Sequence, residues 1–228
     1  MPIFIPIIIA VAALAVGTGA AVALNWDKIV IALKGKKLAV LGERKIGKTV
    51  LIKYLTTGTI IEKYEQTTGR TRTDANRLNL KDLSLSIKRS HDVPGAKDDY
   101  RVWRAITKEA DIVMYLLRID KLMEGDEITE KRVRDDMEHI SRWLEEKPKE
   151  YPIFIIGTYC DRTKPDLTKL PKDKIGDYQD HVRKMPIFKT IELFAAKSGS
   201  EVRVVLGSLR LKKDTERLVY NLLSQVIG

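Results

Sequence analysis

The sequence predicts an α/β chain in which a mostly parallel six-stranded sheet, with one antiparallel edge hairpin, carries helices on both faces and is preceded by a membrane-spanning helix. Three observations lead there. Apolar runs of strand length alternate with amphipathic runs of helical period. Two of those runs, 112–117 and 152–157, are almost wholly apolar, as strands covered on both faces are. The first charged side chain is Asp27, although the chain holds 41 Lys plus Arg against 31 Asp plus Glu, a formal +10.

The uncharged head comes first. Residues 3–24 read IFIPIIIAVAALAVGTGAAVAL, with Thr18 as the only polar side chain. As a helix rising about 1.5 Å per residue, this stretch is long enough to cross a hydrocarbon core of roughly 30 Å. Trp26 stands where an interfacial aromatic belongs, and Lys28, Lys34, Lys36 and Lys37 follow with no Lys or Arg before them. That asymmetry places the remainder in the cytoplasm. The expectation is a single-pass membrane protein: anchor 1–26, juxtamembrane linker 27–36, folded domain 37–228. A cleaved secretory signal fits less well, because the basic leading segment is missing and the apolar stretch is too long. Cys160 is the only cysteine, which excludes an internal disulfide and a cysteine-rich zinc site.

Within the body, strands are expected at 37–41, 77–80, 83–88, 112–117, 152–157 and 189–194. Only Lys81 and Asp82 separate the second from the third, which makes that pair the hairpin. Val133, Met137, Ile140 and Leu144 recur at helical spacing, as do Leu218, Leu222 and Val226; both sets are expected to be core.

The motif with chemistry is Gly42-Glu43-Arg44-Lys45-Ile46-Gly47-Lys48-Thr49, a full match to G-x-x-x-x-G-K-[ST] between a strand-like and a helix-like run. Its physics is a loop whose amides, those of Lys45, Gly47, Lys48, Thr49 and Val50 included, turn inward on phosphate oxygens. Glycine stands where a side chain would block that approach. The following helix adds unpaired donors and its positive end. Lys48 is placed to neutralise the β- and γ-phosphates, and Thr49 to put its hydroxyl on Mg²⁺.

Magnesium prefers oxygen donors in octahedral array, so more are expected downstream. Asp92-Val93-Pro94-Gly95 fits D-x-x-G, with Asp92 holding the metal through water and the Gly95 amide reaching the γ-phosphate. Between the motifs, Glu65-Gln66-Thr67-Thr68-Gly69-Arg70 offers a threonine; Thr67 is preferred over Thr68 as metal ligand and catalytic contributor.

With these motifs in order, residues 36–228 resemble the small GTPases. The stretch from Asp92 to Arg104 is most like the Arf-type version, down to the Trp103-Arg104 pair. The resemblance implies a P-loop GTPase fold, GTP and GDP as ligands, and a base-reading motif at Thr158-Tyr159-Cys160-Asp161. There Asp161 would accept from the N1–H and exocyclic amine of guanine. Tyr159 replaces the usual lysine, and its ring can stack on the base. Phe194-Ala195-Ala196-Lys197, at the end of the expected last strand, resembles the family's Ser-Ala-Lys, which would put the Ala196 amide at guanine O6 and Lys197 over the ring.

Two departures bear on catalysis. Ala96 follows D-x-x-G where efficient family members carry the glutamine that orients the attacking water. Arg44 sits where the family keeps glycine; it reads as an exposed side chain or, alternatively, as an arginine finger in cis. The function expected is therefore a membrane-anchored GTP-controlled switch or docking module, hydrolysing slowly or with a partner's help. The alternatives are a nucleotide-locked structural protein and a P-loop ATPase. An unidentified protein effector or regulator is expected as partner. No nucleic acid is, since a basic body beside an anionic leaflet accounts for the charge. Residues 199–213 read as an added strand or a partner surface.

Overall fold

The computed structural model describes residues 8–11, 33, 35–57, 86–89, 96–146 and 152–226. Among them, strands β1 (Ile8–Val11), β2 (Lys37–Gly42), β3 (Ser86–Arg89), β4 (Ile112–Arg118), β5 (Ile153–Thr158) and β6 (Val202–Leu206) form one sheet. The order is β1-β6-β5-β4-β2-β3 and every neighbouring pair is parallel. Parallel neighbours need crossover connections, and helices supply them. They are α1 (Lys48–Thr57), α2 (Ala96–Glu109), the short α3 (Ile119–Met123), α4 (Glu127–Glu145), α5 (Ile175–Lys184), α6 (Pro186–Lys197) and α7 (Lys212–Ser224).

The two-residue period of the strands divides the core in two. Ala39 and Leu41, Val113, Tyr115 and Leu117, and Ile153 and Ile155 face one side, where Trp103 and Ile106 of α2, Val133, Met137 and Ile140 of α4, and Phe188 and Ile191 of α6 meet them. Leu38 and Val40, Ile112, Met114 and Leu116, and Phe154 and Ile156 face the other, against Leu51 and Leu55 of α1 and Leu218 and Leu222 of α7. Removing each such large side chain from water contributes about 1.5–3 kcal/mol, which is why central strands without polar alternation are stable here. Helix α4 is started by Asp126, whose carboxylate accepts from the Thr129 amide at 2.7 Å.

Of the helical-spacing residues predicted as core, Val133, Met137, Ile140, Leu144, Leu218 and Leu222 are buried, while Val226 is half-buried against the cluster. Of three further expectations, two need correction and one lies largely outside the described residues. Residues 189–194 are helical, inside α6, and the last strand is β6. Pro186 presets the first turn, and Ile187, Phe188, Ile191 and Ala195 recur on the face buried by α6. The valine-rich VRVVL makes the better strand. Second, the antiparallel edge hairpin falls on residues that are mostly not described, and the pairs that are described are all parallel. The hairpin's arm 77–80 lies outside the described residues, and β3 runs parallel to β2. Third, Ile8–Val11 pairs with Arg203–Leu206 as an edge strand, where the sequence expects the middle of a membrane-spanning helix. Among the described residues no helix is long and apolar enough to cross a membrane.

Candidate functional site

In a parallel sheet all strands deliver the chain to the same edge, and the phosphate loop stands on that edge after β2. Gly42 ends the strand at φ +135°, and a Cβ there would lie 2.6 Å from the Leu116 carbonyl oxygen of β4. Gly47 has φ +104°, and a Cβ there would meet Leu209 Cδ1 at 2.5 Å. Gly42 needs glycine for backbone angle and for space, and Gly47 for backbone angle. Lys45 also takes a left-handed conformation, φ +61°. The Lys48 ammonium folds back over the loop and donates to the carbonyls of Gly42 at 2.8 Å and Glu43 at 2.7 Å. The loop is thus closed into a ring by its own lysine. Helix α1 opens with Leu51 N–H donating to Gly47 O at 3.0 Å. Thr49 is exposed and Val50 half-buried in its first turn, while Glu43, Arg44 and Lys45 are exposed on the rim.

The loop after β5 is bound to the phosphate loop by side chains. Thr158, buried, donates from Oγ1 to Ile46 O at 3.2 Å and to Leu117 O at 3.1 Å. Tyr159, left-handed at φ +64°, donates its phenol to Lys45 O at 2.7 Å. Arg118 lies 4.1 Å from the centroid of the Tyr159 ring and Arg162 lies 4.9 Å from it, so two guanidinium groups contact the ring expected to stack on a base. Arg118 is itself held by the buried carboxylate of Asp120.

Asp161 sits in the short turn Cys160–Arg162. Its Oδ1 accepts from Ser208 Oγ at 2.7 Å and its Oδ2 from Arg210 at 3.5 Å. The Cys160 amide donates to Gly207 O at 3.2 Å and the Gly207 amide to Gly157 O at 2.9 Å, tying the two loops together. Burial pushes the Cys160 thiol well above its ordinary range, with Asp161 adding to it.

The structure therefore brings together Gly42, Lys45, Gly47, Lys48, Thr49, Val50, Thr158 and Asp161. It does not bring Ala196 and Lys197 to them. These two end α6, which feeds β6 from its starting edge, opposite the phosphate loop; Lys197 lies over the Phe194 ring at 5.5 Å. Beside Asp161 and Gly47 stand instead Ser208, Leu209 and Arg210, which follow β6 and Gly207. The signal for them was present: a valine-rich run ending in Gly207-Ser208, one short step before the final helix. Arg118 was also missed, and no pattern in the sequence marks it. Thr67, Asp92 and Gly95 lie outside the described residues.

The site fits a phosphate ester. Two glycines with positive φ let the loop turn back on itself, and one lysine is already seated over it. For a divalent cation, Thr49 is the available donor among the described residues, where no cluster of three His, Cys, Asp or Glu occurs.

A parallel sheet whose inner strand ends in a glycine-bounded loop and a helix beginning Lys-Thr defines a P-loop nucleotide-binding protein. Residues 37–204 match the model of the Ras family, and the chain belongs to that family of small GTP-binding proteins. No curated protein matches the sequence significantly. Two solved structures are similar in shape. One is an ADP-ribosylation factor-like GTP-binding protein, a small COPII coat GTPase, from Encephalitozoon cuniculi in complex with GDP. It shows TM-score 0.49 and 13% identity over 94% of this chain and 90% of that one. The other is a GTP-binding protein from Sulfolobus solfataricus in complex with GDP, with TM-score 0.47 and 13% identity over 91% of this chain; the match spans 56% of that chain's length.

Proposed function

We propose that the chain binds GTP and GDP and serves as a membrane-tethered docking module or switch that hydrolyses GTP slowly. The observation supporting it most directly is the bonded path from the phosphate loop to Asp161, through Thr158 at Ile46, Tyr159 at Lys45, and Ser208 at Asp161. In this reading the loop amides bind the phosphates and Lys48 exchanges a carbonyl partner for a phosphate oxygen. Asp161 exchanges Arg210 for the two donors on guanine, which adenine does not offer. Thr49, with Thr67 and Asp92, would hold Mg²⁺, which would supply neutralisation of phosphate charge. The Ala96 methyl cannot hydrogen-bond water, so this side chain supplies nothing to hydrolysis.

The test is direct competition of GDP, GTP and ADP for the purified chain, followed by single-turnover hydrolysis. Guanine preference with slow turnover supports the reading. Equal affinity for ADP, or turnover as fast as that of an activated GTPase, overturns the corresponding part. Ala96 also favours a second reading, in which GTP is a permanent structural ligand. GTP retained through purification supports that one, and GDP supports turnover. Tethering rests on the hydropathy of residues 3–24, and flotation of the full chain with liposomes decides it.

A further inference from the structure

Helix α2 begins at Ala96, the residue directly after the D-x-x-G motif, so it is one element through which a response to the γ-phosphate would reach the rest of the molecule. This helix is fastened to α4 by an unusual group. Asp136 of α4 has no exposed surface, and its carboxylate accepts from Tyr100 of α2 at 2.7 Å and from Tyr115 of β4 at 2.8 Å. The Arg132 Nε donates to both oxygens, at 2.9 and 3.0 Å. The Arg132 guanidinium also lies within 6 Å of the rings of Tyr100 and Trp103, both on α2. Tyr100 packs besides against His139, with ring centroids 4.3 Å apart.

A buried carboxylate that loses a donor keeps the penalty of desolvation and gains no water in return. Moving the first turns of α2 away from α4 would take Tyr100 off Asp136 and leave that deficit. Tyr115 makes the same bond from a strand paired on both sides, so it cannot share in such a movement.

We propose that Asp136, through Tyr100, latches α2 in one position with either nucleotide bound, so that the surface α2 offers a partner does not change until the latch is released. The proposal rests on the guanine-nucleotide reading above and specifies the regulation of that site. It makes the protein a docking module first, and a switch only when something breaks the Tyr100–Asp136 bond.

The test is amide hydrogen exchange of the full chain, nucleotide-free, with GDP, and with a non-hydrolysable GTP analogue, for the wild type, Tyr100→Phe and Tyr115→Phe. In the wild type, α2 should exchange at the same rate in both nucleotide states. Tyr100→Phe should speed α2 exchange about tenfold, the worth of a hydrogen bond to a charged group, and open a difference between the states. Tyr115→Phe should lower the melting temperature without loosening α2 selectively. Asp136→Asn, with one accepting oxygen left, should also loosen α2. An unchanged α2 in Tyr100→Phe or Asp136→Asn, equal loosening in Tyr115→Phe, or a wild-type α2 that already differs between GDP and the analogue overturns the latch. If the wild type binds no guanine nucleotide, the functional reading fails. The contrast between the two tyrosine variants in the nucleotide-free protein still decides whether Asp136 holds α2.

Discussion

The two halves of the site are built from different material. The phosphate half, residues 42–49, is a main-chain structure: two glycines with positive φ, a helix start, and a lysine bonded to the loop's own carbonyls. The half proposed to read the base, 158–161 with 207–210, is a side-chain structure: a threonine brace, a tyrosine strut gripped by arginine, and a carboxylate held by a serine and an arginine. Main chain is the same in every residue, so a loop made of it tolerates few alternatives at the crowded points. Side chains can be exchanged whenever another reaches the same atom. Substitution in the first half should therefore break the site, and in the second half should retune it.

The largest effect is expected from Gly42→Ala. Its Cβ would meet a backbone oxygen that cannot turn aside, at a φ that L-residues rarely adopt. A loss of about 3 kcal/mol, read by thermal or denaturant melting, with loss of nucleotide binding, is the expected outcome. Gly47→Ala meets only the end of the Leu209 side chain, so about 1–2 kcal/mol is expected from backbone strain. Adding Leu209→Ala should recover little of it. Full recovery in the double variant would show that space, not φ, was the constraint.

Next comes Asp161→Asn, which should weaken GDP at least about tenfold and improve xanthosine diphosphate, because the amide donates where guanine also donates. Unchanged GDP affinity would remove Asp161 from the site. Tyr159→Phe keeps the ring between its arginines and deletes only the bond to Lys45, for an expected loss of about 1 kcal/mol in nucleotide binding by calorimetry. A loss as large as that of Gly42→Ala would dissolve the contrast between the halves.

The smallest effect concerns pH, away from either half. Burial raises the Asp136 carboxyl above its ordinary range, against the lowering influence of Tyr100, Arg132 and Tyr115. The folded chain therefore holds that proton more tightly than the unfolded chain. This group's contribution to stability is largest below the ordinary carboxylate range and declines as pH rises through the elevated value. Asp136→Asn should flatten that part of the stability profile, and an unaltered profile would assign the slope elsewhere.

The same division explains what could be read from the chain. Gly42 to Thr49 announces itself because steric need fixes residue type and spacing at once, and the paired apolar sets of β4, β5, α4 and α7 follow from burial on two faces. The valine-rich run before Ser208 marks where its loop begins, but its bond to the Asp161 carboxylate, 47 positions away, is a relation that no local pattern carries. Phe194-Ala195-Ala196-Lys197 misled because a four-residue likeness says nothing about which edge of the sheet it reaches. Its true setting was written in Pro186 and the helical spacing after it. At Ile8–Val11 the apolar head satisfied two periodicities at once, since a run without polar residues buries equally well as helix or strand.

That strand has a thermodynamic consequence. β1 covers the open flank of β6, whose residues Val202, Val204, Val205 and Leu206 are buried. In the membrane-tethered state proposed above, lipid and sheet would compete for the same four residues. Any free energy gained by drawing Ile8–Val11 into a bilayer is reduced by the ladder bonds left open along β6, so a change that strengthens one association must weaken the other.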